Sequence, residues 1–427
     1  MKISKYWQYG LIATLRFFAA ASSLVISLVV TNLLSTNDAG KYFIFHAMLL
    51  MLVTFGCLGL QDSFVRFVSA FSVEKKYPEV NGVFNVGILA SLTITLIISL
   101  FLYLFRHILS EKFFEEAASN YVFVFLAIAL PFYTILQLVG SAFQGQHKIA
   151  TSIICRNIAF PICFLVLVGV YFLGSRSYTL HNFLLMFSLS SFFICLLALQ
   201  FWRIQPNYNL KLKFSVVEGL KKSALPLWLS SVLVVVIEWF GTIVAGFYVP
   251  PGDIALLAIA QRIAIATSFL LIIVNLIAAP KFSASFQLGN FDELRRLSLI
   301  CSRLMVLVAI PISIILFLFP NLILSLFGEE YISASLLLRI LVVGQLVNIC
   351  TGSVGFLLVM TGNETKVRNA IFLSGSFCII STLCLVPYYG TLGAAISISL
   401  SVCIQNIYML FAVKKVLGFN TLNLVNQ

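Results

Sequence analysis

The chain has 427 residues, of which 61% are hydrophobic and only 10% are charged. Soluble domains carry about 25% charged residues, so a soluble globular fold is excluded. The formal net charge of +12 arises mainly from basic residues at the ends of apolar stretches. We therefore interpret it as a signal of membrane topology and not of nucleic-acid binding.

Twelve apolar stretches of roughly 20 residues or more fill nearly the whole chain. Each is long enough to cross roughly 30 Å of hydrocarbon as a helix, and lipid-exposed backbone must satisfy its own hydrogen bonds. We therefore predict an all-α polytopic membrane protein with no extramembrane domain. The predicted spans are 11–34, 42–60, 82–105, 121–142, 153–173, 180–201, 225–247, 254–278, 300–319, 333–358, 369–388 and 391–413.

The basic residues are distributed unequally between the two sides of the membrane. Of the 27 Lys and Arg, twenty fall in the termini and even-numbered loops and four in the odd-numbered loops. The remaining three, Arg16, Arg262 and Arg339, lie within spans. The positive-inside rule then predicts that both termini are cytoplasmic in a multi-pass protein of the bacterial inner membrane.

An internal repeat is visible when the sequence is shifted by 215 residues. Asp38 then falls on Asp253 just before the second span of each half, and Arg66 falls on Lys281 at the end of that span. The two halves therefore resemble two copies of one six-helix unit. The predicted parts are a bundle at 1–201, a basic cytoplasmic linker at 202–224 and a second bundle at 225–427.

The even number of spans in each copy has a topological consequence. Both copies begin on the cytoplasmic side, so they are parallel repeats related by an axis along the membrane normal, as in some transporters. A substrate site between two such bundles would lie near mid-membrane and would open to either side by rocking. The architecture thus predicts a transporter.

Short motifs occur in a consistent order along the chain. They are Asp38-Ala39-Gly40-Lys41-Tyr42, Gly59-Leu60-Gln61-Asp62-Ser63-Phe64-Val65-Arg66, Ala279-Pro280-Lys281-Phe282-Ser283, Leu294-Arg295-Arg296-Leu297, Leu326-Phe327-Gly328-Glu329-Glu330-Tyr331, Leu358-Val359-Met360-Thr361-Gly362-Asn363 and Tyr389-Gly390-Thr391-Leu392-Gly393-Ala394-Ala395. In this order and within twelve spans, they resemble the polysaccharide exporters of the multidrug/oligosaccharidyl-lipid/polysaccharide (MOP) superfamily, including the O-antigen (Wzx-type) flippases.

The resemblance implies a fold and a function. The fold would be MATE-like, with two six-helix bundles. The function would be the flipping of an undecaprenyl-diphosphate-linked oligosaccharide from the cytoplasmic to the periplasmic leaflet by alternating access. The partners would be that glycan lipid, the membrane lipids and other polysaccharide assembly proteins such as the polymerase, with no nucleic acid. No cofactor is implied, although a proton or sodium gradient could drive transport.

Five basic residues are candidates for contact with an anionic substrate. An ionisable side chain at the bilayer centre costs about 2.5 to 3.5 kcal/mol on insertion scales, so such residues usually face a cavity or a partner. Arg16 either snorkels to the cytoplasmic surface or contacts a lipid diphosphate, for which a guanidinium fork is suited. The candidates are Arg16, Arg66, Lys281, Arg262 and Arg339.

Three further residues are candidates for coupling or gating. Asp62 lies four residues before Arg66, a favourable order for an ion pair on one helix. Glu238 is the deepest acid, about 20 Å from the cytoplasmic side, at a depth similar to that of Arg262. The two are therefore candidates for a structural ion pair, or Glu238 for a coupling carboxylate. His46 in the second span either extends a polar cavity or is a hydrogen-bonded packing residue.

Two other functions compete with the flippase. A drug or cation antiporter of the same superfamily is expected to favour acids in its cavity, whereas here embedded cations outnumber deep Glu238. A membrane-embedded polysaccharide polymerase or glycosyltransferase would need an extramembrane catalytic loop, and the longest outer loop, 106–120, is short. Its Glu111, Glu115 and Glu116 are typical of a solvated acidic face. We therefore predict a transporter and not an enzyme.

Overall fold

A computed structural model describes residues 2–174, 178–204, 209 and 217–421. Throughout these residues the regular secondary structure is helical. The chain forms two compact units, Met1–Val235 and Val236–Gln427. Most of the predicted linker at 202–224, and Arg176, lie outside the described residues. The predicted limits of the two bundles therefore stay a prediction.

The first unit contains nine complete α-helices and the start of a tenth within the described ranges. They are α1 (Lys2–Leu33), α2 (Thr36–Cys57), α3 (Leu60–Val73), α4 (Tyr77–Leu104), α5 (Arg106–Phe114), α6 (Tyr121–Gly145), α7 (Ile149–Ile153), α8 (Ala159–Gly174), α9 (Leu180–Arg203) and α10 (Val217–Ala245), which continues into the second unit. A π-helical turn, Ile154–Ile158, joins α7 to α8.

The second unit continues from the end of α10. Its helices are α11 (Pro251–Ala266), α12 (Phe269–Gln287), α13 (Phe291–Leu318), α14 (Pro320–Leu324), α15 (Ser335–Thr351), α16 (Val354–Met360) and α17 (Glu364–Leu417). The last of these is 54 residues long and contains one non-helical residue, Gly390, with φ 55° and ψ −131°. Gly390 therefore divides α17 into two membrane-crossing helices.

Aromatic side chains form much of the interior of the first unit. The rings of Phe160 and Phe187 meet edge to face with centroids 4.6 Å apart, and Phe45 contacts Phe187 at 5.0 Å. Phe84 stacks on Trp202 at 4.4 Å. Such ring pairs contribute about 0.5–1.5 kcal/mol beyond their burial. They join α2, α4, α8 and α9, so these four helices form one packed body.

Ten helices in the described residues are long and apolar enough to cross a membrane by length and composition. One of them is α17, which crosses twice because of Gly390. The interrupted pair α11 and α12 supplies a further crossing, because neither helix reaches the hydropathy and length of a full span alone. The predicted all-α polytopic fold with twelve crossings is therefore confirmed.

Two predicted spans differ from the helices observed. The second span, predicted at 42–60, is α2 followed by α3, with Leu58 and Gly59 between them in left-handed conformations (φ 53° and 71°). The span predicted at 254–278 is likewise divided, between α11 and α12. Hydropathy does not detect these breaks, because the residues on both sides are apolar.

The helix boundaries repeat between the two units. Helices α2 and α11 begin at Thr36 and Pro251, 215 residues apart. The next long helices, α4 and α13, end at Leu104 and Leu318, 214 residues apart. Asp38 and Asp253 both lie in the first turn of their helices, where a carboxylate is favoured by the helix dipole. The repeat seen in the sequence is thus also present in the order and length of the helices.

A buried ion pair fixes one end of the first unit. The Lys41 ammonium on α2 lies 2.6 Å from a Glu116 carboxylate oxygen and also donates to Ser119 Oγ at 2.9 Å. The Lys41 side chain is 6% exposed, whereas that of Glu116 is 52% exposed. Hydrogen bonds from Lys41 and Ser119, together with the charge of Lys41, lower the pKa of Glu116. The pair therefore attaches the loop after α5 to α2.

We predict that Glu116→Gln destabilises the protein by about 1–3 kcal/mol. This is less than the 3–5 kcal/mol expected for a fully buried pair, because Glu116 is half exposed. The pKa of Glu116 is lower in the folded protein, so its stabilisation is present above the ordinary Glu pKa and is lost as pH falls through the lowered value. The difference in melting temperature between wild type and variant should therefore shrink on acidification.

Glu115→Gln is the matched control, since Glu115 is the neighbouring exposed acid. Melting curves of all three proteins in detergent, from neutral to acidic pH, test the prediction. Equal destabilisation by the two substitutions would contradict a specific role for the Lys41–Glu116 pair.

Candidate functional site

The break between α2 and α3 places polar groups inside the first unit. Because Leu58 and Gly59 are not helical, nearby backbone carbonyls lose their helical partners. The Ser91 hydroxyl on α4 donates to the Gly56 carbonyl at 2.6 Å, which satisfies one of them. Gln61, two residues after the break, donates to Cys57 Sγ at 3.2 Å. The break is thus stabilised by side chains and not by lipid.

Arg156 lies close to this break, on the π-helical turn Ile154–Ile158. Its Nε donates to Gln137 Oε1 on α6 at 3.0 Å, and Gln137 Nε2 donates back to the Arg156 carbonyl at 3.4 Å. The aliphatic stem of Arg156 rests on Gly140, where a Cβ would overlap its Cγ. The side chain is half-buried. Arg156 is therefore held at its stem, its Nε and its own backbone.

Three charged groups share this region. Arg16 on α1 and Asp62 on α3 both lie within electrostatic range of Arg156. Arg16 is half-buried, and its Nε is buried without a hydrogen-bond partner in the described part of the chain. Two guanidinium groups thus face one carboxylate, which leaves the group with a net positive charge. We call Arg16, Asp62 and Arg156 the arginine cluster.

The other predicted residues of the first unit lie elsewhere. Arg66 is exposed, with its guanidinium 5.9 Å from the Phe67 ring centroid. Among the described residues, no ion pair within 4.0 Å joins Asp62 to Arg66, and the charge that acts on Asp62 is that of Arg156. His46 is half-buried on α2 and stacks against Tyr42, with ring centroids 6.3 Å apart. His46 thus packs within the aromatic interior.

Glu238 on α10 lies in a different setting. Its side chain is exposed. Its backbone carbonyl accepts a hydrogen bond from Gln261 Nε2 on α11, and Thr242 donates to Gln261 Oε1 at 3.4 Å. Arg262 follows Gln261 and is half-buried, but it makes no ion pair with the Glu238 carboxylate within the described ranges. The neutral side chain of Gln261 therefore joins α10 to α11 at this level.

Lys281 and Arg339 complete the predicted set. Lys281 is exposed on α12. Arg339 is exposed on α15, donates from Nε to the Phe317 carbonyl at 3.0 Å and lies 5.8 Å from the Phe317 ring centroid. Phe317 is in the last turn of α13, where carbonyls lack helical partners and a cation is favoured. Arg339 thus caps α13.

The first unit contains a similar cap at the equivalent position. Arg106 donates from Nη1 to the Tyr103 carbonyl at 2.8 Å and lies 4.4 Å from the Tyr103 ring centroid. Tyr103 is in the last turn of α4, the helix that corresponds to α13 in the repeat. An arginine and an aromatic ring therefore cap the same helix end in both units, although the two arginines come from different elements.

Sequence reasoning did not identify Arg156 as a site residue. Arg156 opens the fifth predicted span, so it was counted only with the basic residues that define topology. Gln137, a polar residue within an otherwise apolar span, was the one available signal of a buried partner. Within the described ranges, no group of three or more His, Cys, Asp or Glu side chains is arranged to hold a metal.

Two protein-family models match the chain. The first, described as polysaccharide biosynthesis protein, matches residues 9–286, and the second, described as MatE, matches residues 226–387. A relative in sequence is an uncharacterized membrane protein of Methanocaldococcus jannaschii, 21% identical over 95% of this chain and 83% of its own length.

Solved structures share the fold. An inward-facing multidrug resistance MATE family transporter of the MOP superfamily aligns with a TM-score of 0.75 at 14% identity, over 95% of this chain and 94% of its own. The lipid II flippase MurJ in an inward closed conformation aligns with a TM-score of 0.72 at 16% identity, over 95% of this chain and 87% of its own. The predicted MATE-like fold is thus confirmed.

We predict that Arg339→Gln and Arg106→Gln each destabilise the protein by about 0.5–1 kcal/mol, because each removes a cation from an exposed helix end and from an aromatic ring. Transport per molecule should change less than twofold for both variants. Melting curves and transport normalised to protein abundance test this. A selective loss of transport in Arg339→Gln would instead support its predicted contact with substrate.

Proposed function

Because the chain belongs to the polysaccharide biosynthesis protein family of the MOP superfamily, we propose that it flips a lipid-linked oligosaccharide across the membrane. The proposed substrate is an undecaprenyl-diphosphate-linked repeat unit of O-antigen or a related surface polysaccharide. Movement runs from the cytoplasmic to the periplasmic leaflet by alternating access. The protein acts as a transporter, and the glycan is not chemically changed.

The net positive charge of the arginine cluster is the observation that carries this proposal. In a membrane-embedded setting, two guanidinium groups within electrostatic range repel each other and are costly to desolvate. An anionic ligand offsets both costs, because it supplies the missing negative charge and accepts charge-assisted hydrogen bonds. The diphosphate of a polyprenyl carrier has this charge. The cluster therefore supports an anionic substrate over a cationic one.

The other basic residues have supporting roles in the proposal. Arg66 and Lys281, which match in the repeat, provide positive charge at the cytoplasmic ends of their helices. Arg262 adds a cation deeper in the second unit. The polyprenyl tail stays in lipid while the head group and glycan pass through the protein. The proposed orientation, with both termini in the cytoplasm of a bacterial inner membrane, rests on the asymmetry of Lys and Arg.

The proposed energy source is an ion gradient or removal of the flipped product, since the sequence contains no P-loop motif for ATP. Glu238 is the candidate coupling residue. Its carboxylate is exposed although α10 crosses the membrane, and an ionisable group at this depth usually faces a water-filled cavity or a partner. His46 and Asp62 are the other proposed titrating groups.

A drug or cation antiporter is the second candidate function. The match of residues 226–387 to the MatE model and the exposed Glu238 favour it. The arginine cluster opposes it, because a cationic drug would be repelled by the net positive charge of that group. A membrane-embedded enzyme has less support, since Glu116 in the outer loop is engaged by Lys41.

We predict that Arg16→Ala reduces transport of a lipid-linked oligosaccharide at least tenfold, whereas Arg16→Lys retains part of the activity because the positive charge is kept. Arg66→Ala should have a smaller effect, since Arg66 is exposed. Transport is measured as surface glycan in cells and as lipid movement in reconstituted vesicles, at matched protein abundance. Normal transport by the Arg16→Ala, Arg66→Ala double variant would favour snorkelling and contradict substrate contact.

A separate prediction concerns Glu238. If its carboxylate couples transport to an ion gradient, Glu238→Gln should accumulate normally in the membrane, but its transport should no longer respond to an imposed proton or sodium gradient. The measurement is substrate movement in vesicles with and without each gradient. A Glu238→Gln protein whose transport is still stimulated by a gradient would exclude the coupling role.

A further inference from the structure

Arg156 has a holder that immobilises it without using its two terminal nitrogens. Gln137 accepts from Nε, and Gly140 supports the stem. Across the described residues, the terminal nitrogens Nη1 and Nη2 donate to no protein acceptor. A guanidinium fixed in this way presents its two terminal N–H groups as a fork with a defined direction. This edge matches the oxygen pair of a phosphate.

The π-helical turn explains how the fork is placed. A π turn inserts an extra residue into a helix and is frequently found at functional sites. Here the turn Ile154–Ile158 carries Arg156 at its centre. Arg156 is seven residues from the start of α7, hence about 10 Å along the helix. This depth is within reach of a lipid head group from the membrane surface, while the tail of the lipid remains in hydrocarbon.

Gly140 is a specific requirement of this arrangement. A Cβ at position 140 would overlap Cγ of Arg156 and would lie 2.7 Å from its Cδ. Any larger residue therefore displaces the arginine stem without removing its charge. By contrast, a Cβ at Gly169, also on an apolar membrane helix, would meet no atom within 4 Å. The chain thus contains a substitution that moves Arg156 and a matched one that does not.

The two arginines also determine which anion fits. Arg16 comes from α1 and Arg156 from the π turn, so they are separate cationic arms. Arg16 Nε is buried without a partner in the part of the chain that the structure describes. A single phosphate or carboxylate can satisfy one fork, whereas two linked phosphates offer a charged group to each arm. Asp62 offsets one of the two positive charges, so binding leaves no large excess of either sign.

We infer that Arg156 and Arg16 form a diphosphate-binding site of the first unit, in which Gln137 and Gly140 are positioning residues. The inference rests on the proposed function and names the part of the substrate that this site recognises. The ligand is the diphosphate head group of a polyprenyl lipid. The glycan and the polyprenyl chain are bound elsewhere or remain in the membrane.

The test uses the full chain in lipid nanodiscs and three probes: farnesyl diphosphate, farnesyl monophosphate and inorganic diphosphate. Titration calorimetry should show that wild type binds farnesyl diphosphate at least tenfold more tightly than farnesyl monophosphate. Arg156→Lys, Gln137→Leu and Gly140→Ala should each weaken diphosphate binding about tenfold or more and reduce that preference. Gly169→Ala should match wild type.

Several outcomes would overturn the inference. Unchanged diphosphate binding in folded Arg156→Lys and Gln137→Leu would exclude the fork, and an equal affinity for monophosphate would exclude recognition of two phosphates. Inorganic diphosphate binding as tightly as farnesyl diphosphate would overturn the assignment to a lipid head group. Melting curves verify that each variant is folded, and Gln137→Leu, which introduces no overlap, remains informative if Gly140→Ala fails to fold.

Transport measurements separate this inference from the proposed function. If the site binds farnesyl diphosphate with the expected dependence on Arg156 but wild type moves no lipid-linked oligosaccharide in vesicles, the proposed function is wrong and the site stands. If wild type transports the oligosaccharide and the Arg156 and Gln137 variants transport it equally well, the function stands and the site is wrong.

Discussion

The structure depends on one constraint: backbone polar groups within hydrocarbon must find their hydrogen-bond partners inside the protein. A continuous helix satisfies this alone, but several helices here are interrupted. Each interruption releases carbonyl or amide groups that other residues must satisfy. Ser91 serves the break between α2 and α3 by donating to the Gly56 carbonyl. The polar side chains of the membrane interior therefore collect where the helices are broken.

This constraint also explains the glycines at the breaks. Gly59 and Gly390 have positive φ angles, which residues with a Cβ rarely adopt. At Gly59 a Cβ would also approach the Trp228 backbone nitrogen to 2.7 Å. These glycines permit both the turn and the close packing beside it. The broken helices are thus specific features of each unit and not general weaknesses of apolar helices.

The same reasoning separates the arginines by role. Arg339 and Arg106 cap helix ends and contact aromatic rings, so their donors already have acceptors. Arg156 is anchored through Nε alone, and Arg16 has a buried Nε without a partner in the described residues. A cation that is anchored but incompletely satisfied in a low-dielectric setting is suited to bind an anion. Counting arginines in the membrane does not reveal this difference, whereas their hydrogen bonds do.

The sequence by itself determined the fold class, the twelve crossings and the internal repeat, because the length and apolarity of each span follow from the thickness of the membrane. The match between Asp38 and Asp253 even located equivalent helix starts. Tertiary structure alone decided which charged residues share a site. Asp62 acts with Arg156 from another helix and not with Arg66 four residues away, and Gln137 and Gly140 matter only because α6 packs against the π turn. Hydropathy measures each segment separately, so it contains no information on which helix faces meet.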